Sequence, residues 1–153
     1  MTVEIQIVST SQSLPSQEQF NQWVDLAIEP ARQGADVVIR IVDKVESAEL
    51  NQTYREKEGA TNVLSFPFEM PDGIPAEALT GDILGDLVIC DAIVEQQAKQ
   101  QEKPRMSHWA HMVIHGCLHL QGYDHVEPEQ AVVMENLEIK LLNSIGIDNP
   151  YEV

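Results

Sequence analysis

The chain has 153 residues, 43% of them hydrophobic and 22% charged, enough to bury one core without disulfides or a structural metal. Nine Lys and Arg against 25 Asp and Glu give a formal charge of −16, which disfavours nonspecific binding to nucleic acid or an anionic membrane, so a polyanion would need a local basic patch. Cys90 and Cys117 form no CxxC pair, the start MTVEIQIVSTSQ lacks a signal-peptide pattern, and no apolar run approaches the ~20 residues that span a bilayer; these point to a reduced, cytoplasmic protein whose acids coat its helices.

VEIQIV (3–8) alternates apolar and polar residues, as a half-buried strand does. LPSQEQFNQWVDLAIEP predicts a helix capped by Ser16 with Gln19 three residues on, its apolar stripe formed by Phe20, Trp23, Val24, Ala27 and Ile28. DVVIRIVD (36–43) is a second strand, and SAELNQTYREKEG a short helix starting near Ser47 and stopped by Gly59. TNVLSFPFE (61–69) has strand character until Pro67, which confines it to an edge or a break. The turn residues of PDGIPAEALTG (71–81) predict a mobile loop. GDILGDLVICD (81–91) is the fourth strand, followed by a helix over AIVEQQAKQQEK that Pro104 ends. MSHWAHMVIHGCLHLQ (106–121) is an apolar helix closed by Gly122. Residues 127–146 predict a long helix with Val132, Val133, Leu137, Leu141 and Ile145 on or near one face, and Gly146 as its stop. The order βαβαββααα predicts one α+β domain over 1–153: a small mixed, mostly parallel, four-stranded sheet packed by about five helices.

All five histidines lie between 108 and 125, and HGCLHLQGYDH (115–125) holds three of them. His111, His115 and His119, four residues apart, form one helical column. The outer two are roughly 12 Å apart along the axis, too far for one ion with zinc–nitrogen bonds of about 2 Å. One adjacent pair must therefore act with a ligand from beyond the helix. Gly122 can end the helix and swing His125 back towards His119 and His115, so the ligand set read here is His115, His119 and His125. Three neutral imidazoles suit zinc, although other divalent transition metals such as nickel or copper can take the same atoms, and three protein ligands leave a position open, as catalytic sites do. His111 lines the site or donates a hydrogen bond behind it; His108 reads as a surface or cap residue. Cys117 must point away from the ligands into the core. Asp124 either orients an imidazole or stabilises the turn.

The spacing HxxxHxxGxxH matches the metzincin peptidases, whose second position is a glutamate general base. Here that position is Gly116, so the scaffold is zincin-like while peptide hydrolysis lacks a base usually contributing about 10²–10⁴ in rate. HGCLHLQGYDH, upstream LNQTYREKEGATNVLSFPFE and LGDLVIC together resemble the YbeY family of bacterial metal-dependent endoribonucleases, strongest from about residue 46 to 147. The resemblance implies a zincin-like fold with the metal ligands on a central helix and one zinc held by His115, His119 and His125. It also implies a functional arginine at Arg55 and a role in ribosomal RNA maturation, at the 3′ end of 16S RNA, and in ribosome quality control.

Arg55 carries a planar fork that binds phosphate oxygens bidentately; an ordinary ion pair with Glu56 or Glu58 is the other reading of the residue. Lys57 is a second nearby cation. Asn62 and Ser65 offer polar groups to a cleft or merely cap a strand, and Asp82 and Asp86, four apart on a strand, share a face where they bind a second ion or stay solvated. The expected activity is hydrolysis of single-stranded RNA, with Arg55 and His115 as catalytic residues and Lys57, Asn62, Ser65 and His111 as candidate substrate contacts. Expected partners are ribosomal RNA and the small ribosomal subunit or its assembly factors, with neither DNA nor membrane. Two rivals are a zinc-dependent amide or peptide hydrolase, which Gly116 opposes, and a non-catalytic ribosome-assembly factor with a structural metal.

Overall fold

The computed structural model describes residues 3–11, 13–69, 73 and 82–151. Apart from Gly73, the stretch 71–81 read as a mobile loop lies outside them. Four strands form one sheet: β1 Val3–Ile7, β2 Asp36–Val42, β3 Val63–Pro67 and β4 Ile83–Cys90, in the spatial order β1-β2-β4-β3. β1, β2 and β4 run parallel, and β3 lies antiparallel on the edge beside β4. Pro67, unable to donate to a ladder, ends that edge strand. The mixed, mostly parallel α+β architecture is as the sequence predicts.

Five helices pack on the sheet: α1 Gln17–Ala27, α2 Lys44–Arg55, α3 Asp91–Gln100, α4 Arg105–Leu120 and α5 Pro128–Asn143. The two sheet faces are separated by strand alternation. Val37, Ile39, Ile41, Leu87 and Ile89 join the main core with α1 and α4, while Val42, Leu64, Val88 and Cys90 form a smaller core with Leu50 of α2. Ser16 caps α1 through the expected reciprocal box with Gln19.

Three local expectations are corrected. Helix α2 starts before Ser47, because the Asp43 carboxylate accepts from the Glu46 N–H and caps it. Ser47 is instead buried within the helix, bonded to both the N–H and the C=O of Thr61. The helix ends at Glu56, in the left-handed region, ahead of Gly59. On α5 the buried row is Met134, Glu138 and Leu142, whereas Val132 and Val133 are exposed. Finally, the β2–β4 register steps from Asp36↔Ile83 to Val37↔Gly85. That extra residue interrupts the alternation that would put Asp82 and Asp86 on one face. Asp82 forms a bidentate pair with Arg32, and Asp86 sits in one register row with Val38 and Glu4.

Helix α4 is the central element, buried along most of its length and packed against α1, α3, α5 and the sheet. Gly116 explains how closely it lies. A Cβ there would stand 2.7 Å from a Leu87 methyl and 3.3 Å from Val63, so the helix backbone rests on β3 and β4 only because no side chain intervenes.

Candidate metal centre

The last turn of α4 presents His115 and His119 on one face. Gly122 follows at φ +100°, its N–H bonding the His119 carbonyl while the Tyr123 N–H bonds that of Leu118. Those two bonds close a Schellman turn and reverse the chain. His125 thereby returns to the column: its ring centroid lies 5.4 Å from that of His115 and 4.9 Å from that of His119. One ligand atom from each of the three lies within 4.8 Å of the others.

Proton positions follow from the partners. His119 Nδ1 is 2.9 Å from the Tyr123 carbonyl, which only accepts, so Nδ1 carries the proton. His115 Nδ1 donates to Glu138 Oε1 at 2.5 Å. Both Nε2 atoms then hold lone pairs, and they face each other at 3.1 Å. Two acceptors at that distance repel unless a cation lies between them. Tetrahedral zinc with bonds of about 2.05 Å would separate two nitrogens by about 3.3 Å, so the donor set fits such an ion. Burial, and then the imidazoles of His115 and His125, hold His119 below its ordinary pKa, in the neutral form that ligates.

Glu138 went unpredicted. It is fully buried and also accepts from His111 Nε2 at 2.8 Å and from the Tyr151 hydroxyl. Burial opposes its ionisation, but the bonds from His111, His115 and Tyr151 outweigh it and bring the carboxyl down to about 2. The carboxylate thus fixes the His115 ring and its tautomer, as partners behind metal-bound histidines do. His111, His115 and Glu138 form a second group whose ligand atoms lie close together. In that group, however, each histidine directs a ring nitrogen into a hydrogen bond with the carboxylate. The sequence held one signal for Glu138: a lone acid in an otherwise apolar row spaced four residues apart.

The histidines open onto a cavity of about 660 Å³, lined also by Tyr54, Arg55, Asn62, Ser65, Phe66 and Tyr151. Arg32, Arg40 and Arg105 each pair with a carboxylate. Among the described residues Arg55 does not, and it is exposed at the cavity; the ion pair with Glu56 or Glu58 is not formed. Despite the chain's 25 acids, none of the described side chains lining this cavity is Asp or Glu. This cavity wall therefore carries one unpaired guanidinium and no described carboxylate. The adjoining cavity, which shares His115, His125 and Tyr151 with it, is lined also by Glu135 and Glu138.

The other candidates separate. Asn62 lines the cavity but spends its amide on Gln97 and the Val63 N–H, and the Ser65 hydroxyl donates to the Gly116 carbonyl. His111 lines it too, held by Glu138. Lys57 is exposed and outside the lining. His108, expected at the surface or a cap, is 3% exposed. Its Nε2 hydrogen-bonds the Gln97 amide oxygen at 2.9 Å, which draws the ring inward between α3 and α4. Asp124 accepts from the His125 N–H and so shapes the turn. Cys117 is fully buried with its thiol pushed up to about 12 by desolvation, as a core residue.

Comparison with known proteins decides the family. The family model described as endoribonuclease YbeY matches residues 4–146. The chain belongs to the endoribonuclease YbeY family. An endoribonuclease YbeY of Methylococcus capsulatus is 54% identical over 147 residues, covering 96% of this chain and 93% of that one. The solution structure of TM1509 from Thermotoga maritima shares the fold, with a TM-score of 0.61 at 24% identity over 99% of both chains. Membership of the YbeY family makes the chain an enzyme, a hydrolase of RNA. Among the described residues no helix is long and apolar enough to cross a membrane.

Proposed function

We propose that this chain is a single-domain, zinc-dependent endoribonuclease that cuts single-stranded RNA, with His115, His119 and His125 as the metal ligands and Arg55 as the phosphate-binding catalytic residue. The observation that carries the reading is the convergence of three imidazoles, two with lone pairs facing each other, beside the one arginine without a carboxylate partner among the described residues. When bound, the ion supplies Lewis acidity to a phosphoryl oxygen and to the attacking water. Arg55 grips the non-bridging oxygens of the scissile phosphate and neutralises charge that builds on them. His115 is kept in its ligating tautomer by Glu138. Asn62, Ser65 and His111 shape the wall against which the strand lies, and Lys57 meets phosphates beyond it.

A recessed centre favours a strand that can be splayed over one that is paired. The substrate in the cell is ribosomal RNA at the 3′ end of the 16S molecule, with a part in ribosome quality control in the cytoplasm; the family supports this assignment. The charge of −16 works against unaided capture of RNA, so recruitment falls to a small-subunit or assembly-factor partner more than to the field of the protein itself. The decisive assay incubates purified protein with single-stranded and duplex RNA, with and without chelator, beside Arg55→Ala and His115→Ala. Cleavage of the single strand that chelator and both substitutions abolish is expected. Cleavage persisting in both variants would mark a contaminating nuclease and remove the proposal's support.

A further inference from the structure

We propose that Tyr54 is a base-stacking residue, its ring taking the nucleobase next to the phosphate that Arg55 holds; this rests on the reading of the cavity as an RNA site. Tyr54 occupies the last turn of α2, directly before Arg55. It is 64% exposed, and it lines the same cavity as the three histidines. Its ring is held in place by a perpendicular contact with Phe66 of β3, centroids 5.2 Å apart at 75°, an arrangement that favours aromatic pairs. Phe66 in turn packs against the small core on the α2 side of the sheet, so the exposed ring stands on a fixed support.

A large, exposed, braced aromatic beside an unpaired guanidinium is the combination that single-stranded nucleic acid uses: cation for the backbone, π-face for the base. No Asp or Glu is among the described residues lining this cavity, which favours a polyanion on this wall over the acid-rich remainder of the surface. Every base has a π-face, so this contact confers preference for unpaired RNA without reading sequence. A base already paired in a duplex is stacked on its neighbours and has no face to offer.

The test compares Tyr54→Phe, Tyr54→Leu and the unaltered protein in the metal-loaded form, on a short single-stranded RNA and on the same RNA with abasic sugars flanking the cleaved bond. Stacking predicts that Phe preserves KM while Leu raises it about tenfold or more. It also predicts that abasic RNA raises KM for the unaltered protein and Tyr54→Phe but not further for Tyr54→Leu, with kcat changing less than KM in each case. Melting temperature checks that Leu leaves the fold intact; a less stable Leu variant is still read by the abasic comparison on the unaltered protein. Equal KM for Phe and Leu, or indifference of the unaltered protein to base removal, overturns the stacking role while leaving the nuclease reading in place. Failure of the unaltered protein to cut RNA at all overturns both.

Discussion

Glu138 Oε1 and His115 Nδ1 lie 2.5 Å apart across the contact between α5 and α4. A buried carboxylate thus ties the candidate metal site to a helix outside the three-histidine cluster. Glu138→Gln keeps the shape but loses the charge that orients the ring. Metal affinity should fall about 10–100-fold, measured by competition with a chromophoric chelator. Glu138→Ala should in addition destabilise the fold by about 3 kcal/mol or more, because His111 and His115 lose their buried partner, read from the denaturant midpoint. Unchanged affinity in Glu138→Gln would show that the carboxylate is structural only.

Arg55 has no ion pair to lose among the described residues, so Arg55→Ala should move stability by no more than about 0.5 kcal/mol. Its turnover of RNA should drop about 10²–10³-fold, the usual scale for removing one charge-stabilising donor. Arg55→Lys, a point charge without the fork, should recover only part. Paired melting and single-turnover measurements separate the two effects.

Removing the metal should lower stability without unfolding the chain. The cores are aliphatic and aromatic clusters that need no ion, so chelator should leave the far-ultraviolet dichroism intact. Returning free zinc at a hundred times its Kd should raise stability by about 2.7 kcal/mol. Collapse of the dichroism on chelation would instead favour a purely structural metal.

Gly116 stands where a metzincin carries its base, but it faces Leu87 and Val63. Gly116→Ala should cost about 1–3 kcal/mol through overpacking. Gly116→Glu should cost more and confer no peptidase activity on casein, because the new side chain points into the sheet. A stable Gly116→Glu protein that cleaves casein would contradict that orientation.

His108 gives the fold an acid sensitivity. Burial, followed by the repulsion of His111 and Lys103 and only partly countered by Glu95, lowers its pKa from 6.5 to about 4. The folded chain therefore holds this ring neutral while the unfolded chain protonates it. The stability is fully present above pH 6.5 and drains away as pH falls towards 4, on the order of 3 kcal/mol in all. Chemical denaturation across that range should show a shallower decline in His108→Gln. Parallel curves for the two proteins would assign the loss to other groups.

Which parts were legible in the sequence depended on distance along the chain. The convergence of His115, His119 and His125 was readable because four-residue spacing fixes a helical face and a glycine three residues beyond His119 permits reversal. The pairing of Glu138 with histidines 23 and 27 residues away was not, since it depends on which row of α5 turns inward. Apolar content alone favoured the row of Val132 and Val133, and a buried glutamate looked like a surface one. His108 was misjudged for the same reason: its burial follows from Gln97 on the neighbouring helix. The sequence places the start of α2 near Ser47 because Asp43 reads as the end of the preceding strand, whereas its carboxylate caps the helix. The extra residue near Gly85 has no signature except the glycine itself.

The carboxylate-free cavity on a strongly acidic chain acts as an electrostatic filter. On the proposed reading, the acidic surface turns long polyanions away, and a single strand approaches the one guanidinium unpaired among the described residues. Few phosphates are neutralised in such an encounter, so association should weaken only gently as salt rises, and screening of the surrounding repulsion can offset even that. The protein would then ignore bulk RNA and engage a strand delivered to it.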